Sequence, residues 1–259
     1  MHFKKTLIML GSLVLISCAP FVLAADEEKN DRLARVVMIS AHDGHEKALE
    51  EAITSYHHSM GDKEGAWRYT WYSILTGPDT GKYIARSGDH NWADFDTEDH
   101  DWNKAGDEKF RSEVQPHIAD SVVMISQLDD KVGVWPEDWS EYQYFSLTDW
   151  HIKPGHGSQF IDGLKKIDSI LKKDGGWPNY YAFSTAVSGG NGNTITIISP
   201  RKNFADMAPK KPTFYDVMGK AMGHDESRAF FAEWSKSYEA GQNRLLKRRN
   251  DLSDYGDKK

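Results

Sequence analysis

Two histidines occupy matching places in the chain, His45 in Gly44-His45 and His156 in Gly155-His156, 111 residues apart. Each stands between an apolar strand pattern and the start of a helical one. A protonated ring there opposes the helix dipole, so the chemistry on offer is a neutral, ligand-facing imidazole. The competing reading is an exposed turn residue carried along by a repeat. Arg86 and His151 are polar residues inside or beside strand-like runs. If buried, each needs a partner, and a ligand can be that partner. Trp67, Trp71, Tyr72, Trp150, Trp177, Tyr180 and Tyr181 fall on or beside strands. Trp71 and Tyr181 are expected as walls of an aromatic-lined cavity suited to a flat or apolar molecule, against the alternative that such rings fill the core.

Metal chemistry has less support. Asp89-His90, Asp94, Asp96, Glu98 and Asp99-His100-Asp101 are dense in oxygen and imidazole ligands, but no glycine stands where an EF-hand loop needs its sharp turn. A solvated acidic loop is the expectation there. His42 with His45, and His57-His58, lack a third ligand that the sequence can name. No metal is expected, and no cofactor or catalytic residue is assigned. Gly77 to Lys82 has the wrong spacing for a phosphate loop, and Tyr83 stands where a hydroxyl residue is needed. No Gly-x-Ser-x-Gly elbow occurs.

The elements that must position these residues come in two sets. Lys63-Glu64-Gly65-Ala66-Trp67 returns as Lys173-Asp174-Gly175-Gly176-Trp177, and Asn91-Trp92-Ala93-Asp94-Phe95 as Asn203-Phe204-Ala205-Asp206-Met207. A period this long makes each copy a small supersecondary fold rather than a solenoid unit. Arg35 to Ser40 and Tyr144 to Thr148 read as strands. Leu49, Ile53, Tyr56 and Met60, then Phe160, Leu164, Ile167 and Leu171, read as helical stripes. Two hairpins follow, Tyr69 to Leu75 with Lys82 to Arg86, and Tyr180 to Ala186 with Thr194 to Ser199, around turns rich in Gly, Asn and Asp. Val122 to Ser126 supplies a fourth strand in the first copy. In the second copy Phe230, Trp234, Tyr238, Gly241 and Leu245 read as helix, with no fourth strand. Ala208 to Pro212 reads as an inserted loop.

Met1 to Ala24 has two lysines, an apolar run and small residues before Ala25, the pattern of an export signal rather than a span. A periplasmic or secreted protein is expected. Cys18, the one cysteine, sits in a lipobox-like Leu15-Ile16-Ser17-Cys18, so a lipid anchor is the second reading, and no disulfide can form within the chain. Losing Lys4 and Lys5 with the signal takes the net charge from −7 by two to −9. An acidic surface argues against nucleic acid or anionic lipid as partner.

The order strand, helix, hairpin, helix resembles the dimeric α/β-barrel, ferredoxin-like superfamily, which includes antibiotic-biosynthesis-type monooxygenases, haem-degrading monooxygenases and NIPSNAP-like proteins. Ile152-Lys153-Pro154-Gly155-His156 with Phe160, and the repeated hairpin, carry the likeness. It implies an α+β fold in which two tandem ferredoxin-like units, packed sheet to sheet, form an intramolecular pseudo-dimeric barrel. The expected bounds are 1–24 for the signal, 25–132 and 143–250 for the units, 133–142 for a linker whose two Trp pack it down, and 251–259 for a charged tail. The function expected first is binding of a small apolar or aromatic molecule, with Arg86 and His151 as polar anchors. By the resemblance, a cofactor-independent or haem-dependent monooxygenase is the alternative. A structural or partner-binding envelope protein is the third.

Overall fold

The computed structural model describes residues 31–60, 66–99, 101–173, 177–190 and 192–253. The segment read as an export signal, with Cys18, and most of the repeated glycine blocks before Trp67 and Trp177 lie outside them. Eight antiparallel strands close into one barrel in the order β1-β3-β2-β8-β5-β7-β6-β4. They are β1 (Leu33–Ala41), β2 (Thr70–Thr76), β3 (Tyr83–His90), β4 (Ile118–Val134), β5 (Tyr144–Ile152), β6 (Tyr181–Ser188), β7 (Thr194–Arg201) and β8 (Tyr238–Arg249). The cyclic order is unchanged when every strand number is advanced by four. The helices are α1 (Glu46–Met60), α2 (Asp101–Lys109), α3 (Gly157–Lys172), α4 (Phe214–Met222) and α5 (His224–Trp234). No helix among the described residues is long and apolar enough to cross a membrane.

Alternation along the strands sorts the apolar residues into three layers. Val36, Met38, Tyr72, Ile74, Ile84, Phe145, Leu147, Ile198 and Leu246 meet inside the barrel, closed at one end by Tyr142 and Trp139. Val37, Ile39, Trp71, Tyr83 and Ala85 point outward under Leu49 and Ile53 of α1. Trp150, Ile152, Tyr181, Phe183, Ile195 and Ile197 point outward under α3, α4 and α5. The two halves therefore join edge to edge, through β2 with β8 and β6 with β4, and not sheet to sheet. The inward residues pack against one another as one cluster. Repeated Gly44 and Gly155 both turn the chain at positive φ, 76° and 81°, just before α1 and α3, where a side chain would be strained.

One expectation is corrected. The chain past Trp234 is not helix: α5 stops there, Ser235 to Ser237 form a single 3-10 turn, and β8 follows, paired to both β5 and β2. Its polar sequence is compatible with a strand because Arg244 and Arg248, on the same face as Leu246, find partners inside. Arg244 ion-pairs with Asp149 and with Asp79 at 3.4 Å, and Arg248 donates to the carbonyls of Trp139 and Ser140. The insertion near 208–212 leads into a whole helix, α4. Thr213 caps it, its hydroxyl accepting from Asp216 N–H at 3.2 Å while Asp216 accepts from Thr213 N–H at 2.8 Å. The connection between the halves starts after β4 ends at Val134. Within it Trp139 packs on the barrel core, while Trp135 is 38 % exposed with its ring beside Phe145.

Candidate functional site

The outward face of β5, β7 and β6 and the helices α3, α4 and α5 border a half-open cavity of about 180 Å³. Strand alternation places Trp150, Tyr181, Phe183 and Ile197 on its floor. The stripe of α3 supplies Leu164, Ile167 and Leu171, and α4 and α5 add Phe214, Phe231 and Trp234. Trp177 and Tyr238 complete the wall, and Tyr215, 70 % exposed, stands at the rim. The rings hold one another in edge and stacked contacts, Trp150 on Trp234 at 5.3 Å and 90°, Phe160 on Trp234 at 5.1 Å and 22°. Trp234 is further fixed by its indole N–H, which donates to the Phe160 carbonyl at 3.0 Å. The aromatic wall is thus preformed.

Its polar features are few. The Tyr181 hydroxyl donates to Asp168 Oδ1 at 2.9 Å, and Asp168 also accepts from Gly133 N–H at 2.8 Å and pairs with Lys172 at 2.8 Å. Burial, then the neighbouring Asp168 carboxylate, pushes the Tyr181 phenol well above its ordinary range, so it is a neutral donor at any physiological pH. Ser199 adds one hydroxyl to the lining. The arrangement can hold an apolar ring with at most a weak polar handle.

The structure separates the residues singled out from the sequence. Tyr181 lines this cavity. Trp71 lies in the other outward layer, beneath α1, where its indole donates to His57 Nε2 at 2.7 Å. Arg86 and His151 share the barrel's inner face but not one place on it. The Arg86 row crosses β2 at Thr70, next to Trp71, which pairs with Arg249, whereas the His151 row crosses β8 at Glu239. Glu239 to Arg249 is ten residues, roughly 33 Å of strand. Arg86 folds over Gly88, and His151 Nδ1 bonds the Thr194 hydroxyl at 2.9 Å. His45 Nδ1 lies 3.2 Å from His117 Nδ1, and His156, just before α3, bonds Gln159 Oε1 at 2.8 Å. Neither reaches the aromatic cavity.

Sequence reasoning missed α4 and hence Phe214, Tyr215 and, on the helix after it, Phe231. Their spacing could have shown them, since Phe214, Val217 and Met218 follow a Thr-x-x-Asp cap. It also missed a serine, histidine and carboxylate in sequence: Ser87 Oγ bonds His90 Nε2 at 2.8 Å, and Asp94 lies 3.8 Å from His90 Nδ1. That order is the one a nucleophile relay uses. Ser87 is only 2 % exposed, however, and Trp67 stacks on the His90 ring at 4.1 Å, so no substrate reaches the hydroxyl. The cluster packs the 3-10 segment Trp92–Asp99 against β3. Among the described residues no three His, Cys, Asp or Glu side chains form a metal-ligand set, and His100 of the acidic loop lies outside those residues.

No protein-family model matches the sequence, and no curated protein matches it. Solved structures do share its fold. A candidate monooxygenase from Lactobacillus acidophilus NCFM superposes with a TM-score of 0.52 at 12 % identity, over 84 % of this chain and 94 % of the other. An anthrone oxidase-like protein gives 0.53 at 11 %, over 88 % and 95 %. A mutant chlorite dismutase from Candidatus Nitrospira defluvii, in complex with cyanide, gives 0.50 at 9 %, over 86 % and 93 %. Identities of this size establish fold alone, and the fold is the dimeric α/β barrel that the strand and helix order resembled.

Proposed function

We propose that this is an exported protein that binds a small aromatic or apolar molecule in the cavity between β5-β7-β6 and α3, α4 and α5. One observation carries the reading: a preformed space of about 180 Å³, walled by aromatic rings and reached past an exposed tyrosine. It is smaller than the roughly 300–1,000 Å³ of pockets for drug-sized ligands. It is close to the ~150 Å³ at which an apolar protein cavity takes benzene. The ligand class is therefore a single ring or a short aliphatic chain.

A haem-dependent activity does not fit these residues. A four-pyrrole macrocycle exceeds the space as it stands. Among the described lining residues the axial-ligand types His, Cys and Met are absent, and of the three tyrosines there, Tyr181, Tyr215 and Tyr238, the first has its hydroxyl committed to Asp168. The cofactor-independent oxygenase reading rests on fold, and one fold hosts many chemistries. The symmetry of the strand order and the paired glycine turns support a further part of the proposal, that the halves are ferredoxin-like units arisen by tandem duplication. Export, with cleavage after Ala24 rather than acylation of Cys18, is checked by the mass of the mature N-terminus.

Tryptophan fluorescence tests the binding. Titration with 4-methylphenol should change the emission saturably, through Trp150, Trp177 and Trp234. Tyr215→Ala, an exposed change that leaves the core intact, should shift the half-saturation point several-fold. A linear, unsaturable response, identical in the variant, would count against the site.

A further inference from the structure

Two adjacent stripes of α3 face two different spaces. Leu164, Ile167 and Leu171 line the aromatic cavity, while Gln159, Asp162, Gly163 and Lys166, at helical spacing, line a second hollow of about 220 Å³ that opens to solvent between α3 and α5. On α5 the same division falls between neighbours, with Phe231 on the cavity and Phe230 on the hollow. Among the described residues one side chain is common to both linings, Trp234, and it is buried.

The indole closes the seam between the two helices. Its five-membered edge lies so close to the backbone of Gly163 that a Cβ there would collide with it, and its N–H donates to the Phe160 carbonyl at 3.0 Å. Phe160 stacks on it at 5.1 Å, Phe230 of the hollow lies parallel to it at 6.4 Å, and Trp150 of the cavity meets it edge on at 5.3 Å. A glycine on α3 and a tryptophan on α5 thus make a wall one ring thick. Each space alone falls below the roughly 300 Å³ at which ligand pockets ordinarily begin, and the two joined exceed it. The hollow has an apolar floor, Gly163, Phe230 and Trp234, under a polar rim in which Lys166 Nζ stands 5.0 Å from the centre of the Phe230 ring and Gln159 donates to the Glu233 carbonyl at 3.3 Å.

We propose that Trp234 sets the size of the ligand, as a partition that confines it to a single ring by filling the path along which a second ring would extend. This rests on the aromatic cavity being the binding site. A two-ring molecule has to displace the indole, which breaks its bond to the Phe160 carbonyl and its ring contacts, so the larger ligand is rejected by what it must disrupt. With the partition removed, a second ring has room over Gly163 and against Phe230, with its far end at the polar rim.

Calorimetric titration of the full chain with 4-methylphenol and with 4-phenylphenol, which carries a second ring in line with the first, tests this. Wild type should bind 4-methylphenol and take 4-phenylphenol about tenfold more weakly or worse, and Trp234→Ala should reverse that order. Because removing a large buried ring could prevent folding, Trp234→Phe is the second variant. It keeps a ring in the core but loses the edge over Gly163, and its preference should fall between the other two. Phe230→Ala widens the hollow, leaves the partition in place, and should keep the wild-type preference. Equal affinity of wild type for the two compounds, or a folded Trp234 variant with the wild-type preference, would overturn the partition while leaving the cavity as the site. Wild type binding neither compound would overturn the cavity reading and the partition with it.

Discussion

The His57 imidazole is buried beneath α1 and accepts the Trp71 indole hydrogen at Nε2, which requires that nitrogen to be unprotonated. Burial, and next the charge on adjacent His58, lowers its pKa from 6.5 to about 4. The unfolded chain therefore binds a proton between these values that the folded chain refuses, and stability falls as pH drops through 6.5 toward 4. At the bottom of that window the loss from this residue is about 3 kcal/mol at ~1.4 kcal/mol per pH unit. Thermal melts of wild type should show the slope, and His57→Gln should flatten it between pH 6.5 and 4. Arg249 bonds Glu50 at 2.6 Å, and Glu50 accepts from the Tyr83 hydroxyl at 2.8 Å, so the end of β8 is tied to α1 and β3. Mainly through Arg249, the Glu50 carboxyl is held below its ordinary 4.5; its contribution is full above that value and is lost as pH falls through the lowered one. Arg249→Met should cost about 1 kcal/mol, discounted for partial exposure, in urea unfolding at pH 7, with the difference shrinking in acid.

Elements whose inward and outward residues are both apolar could be read from sequence. The run Arg35 to Ser40 is such a case, and the apolar stripes of α1 and α3 are legible against otherwise polar helices; β1, α1 and α3 stand where their patterns predict. The strand β8 was illegible for a physical reason. Its inward positions carry Arg244 and Arg248, which a polarity pattern assigns to solvent, and their partners lie more than 80 residues away in Asp149, Asp79, Trp139 and Ser140. By coincidence Phe230, Trp234, Tyr238, Gly241 and Leu245 also fit a helical stripe across the α5-β8 boundary. The helix layer around the cavity carries its own prediction. A Cβ on Gly163 of α3 would stand 2.2 Å from Trp234, whose ring is anchored by the Phe160 carbonyl and cannot yield cheaply. Gly163→Ala should destabilise the protein by roughly 1–3 kcal/mol in denaturant melts and shift Trp234 emission, because the displaced ring also lines the cavity.

At the scale of the molecule, the inward apolar residues pack as one cluster and the aromatic cavity lies outside the barrel, under the helices. Aromatic residues on strands announced a cavity, and Tyr181 is one of its walls. Trp71 and Tyr181 both point outward under helices, but on different halves of the barrel, so they stand in separate layers. Arg86 and His151 lie far apart along the inner face of the barrel. Crystals of the protein soaked with 4-methylphenol give the most direct test of where a ligand goes. The account predicts one ring between the β5-β7-β6 face and α3, α4 and α5, in contact with Trp150, Phe231 and Trp234, with the barrel interior unchanged. Density for the ring inside the barrel beside Arg86 or His151, with the aromatic cavity empty, would contradict it.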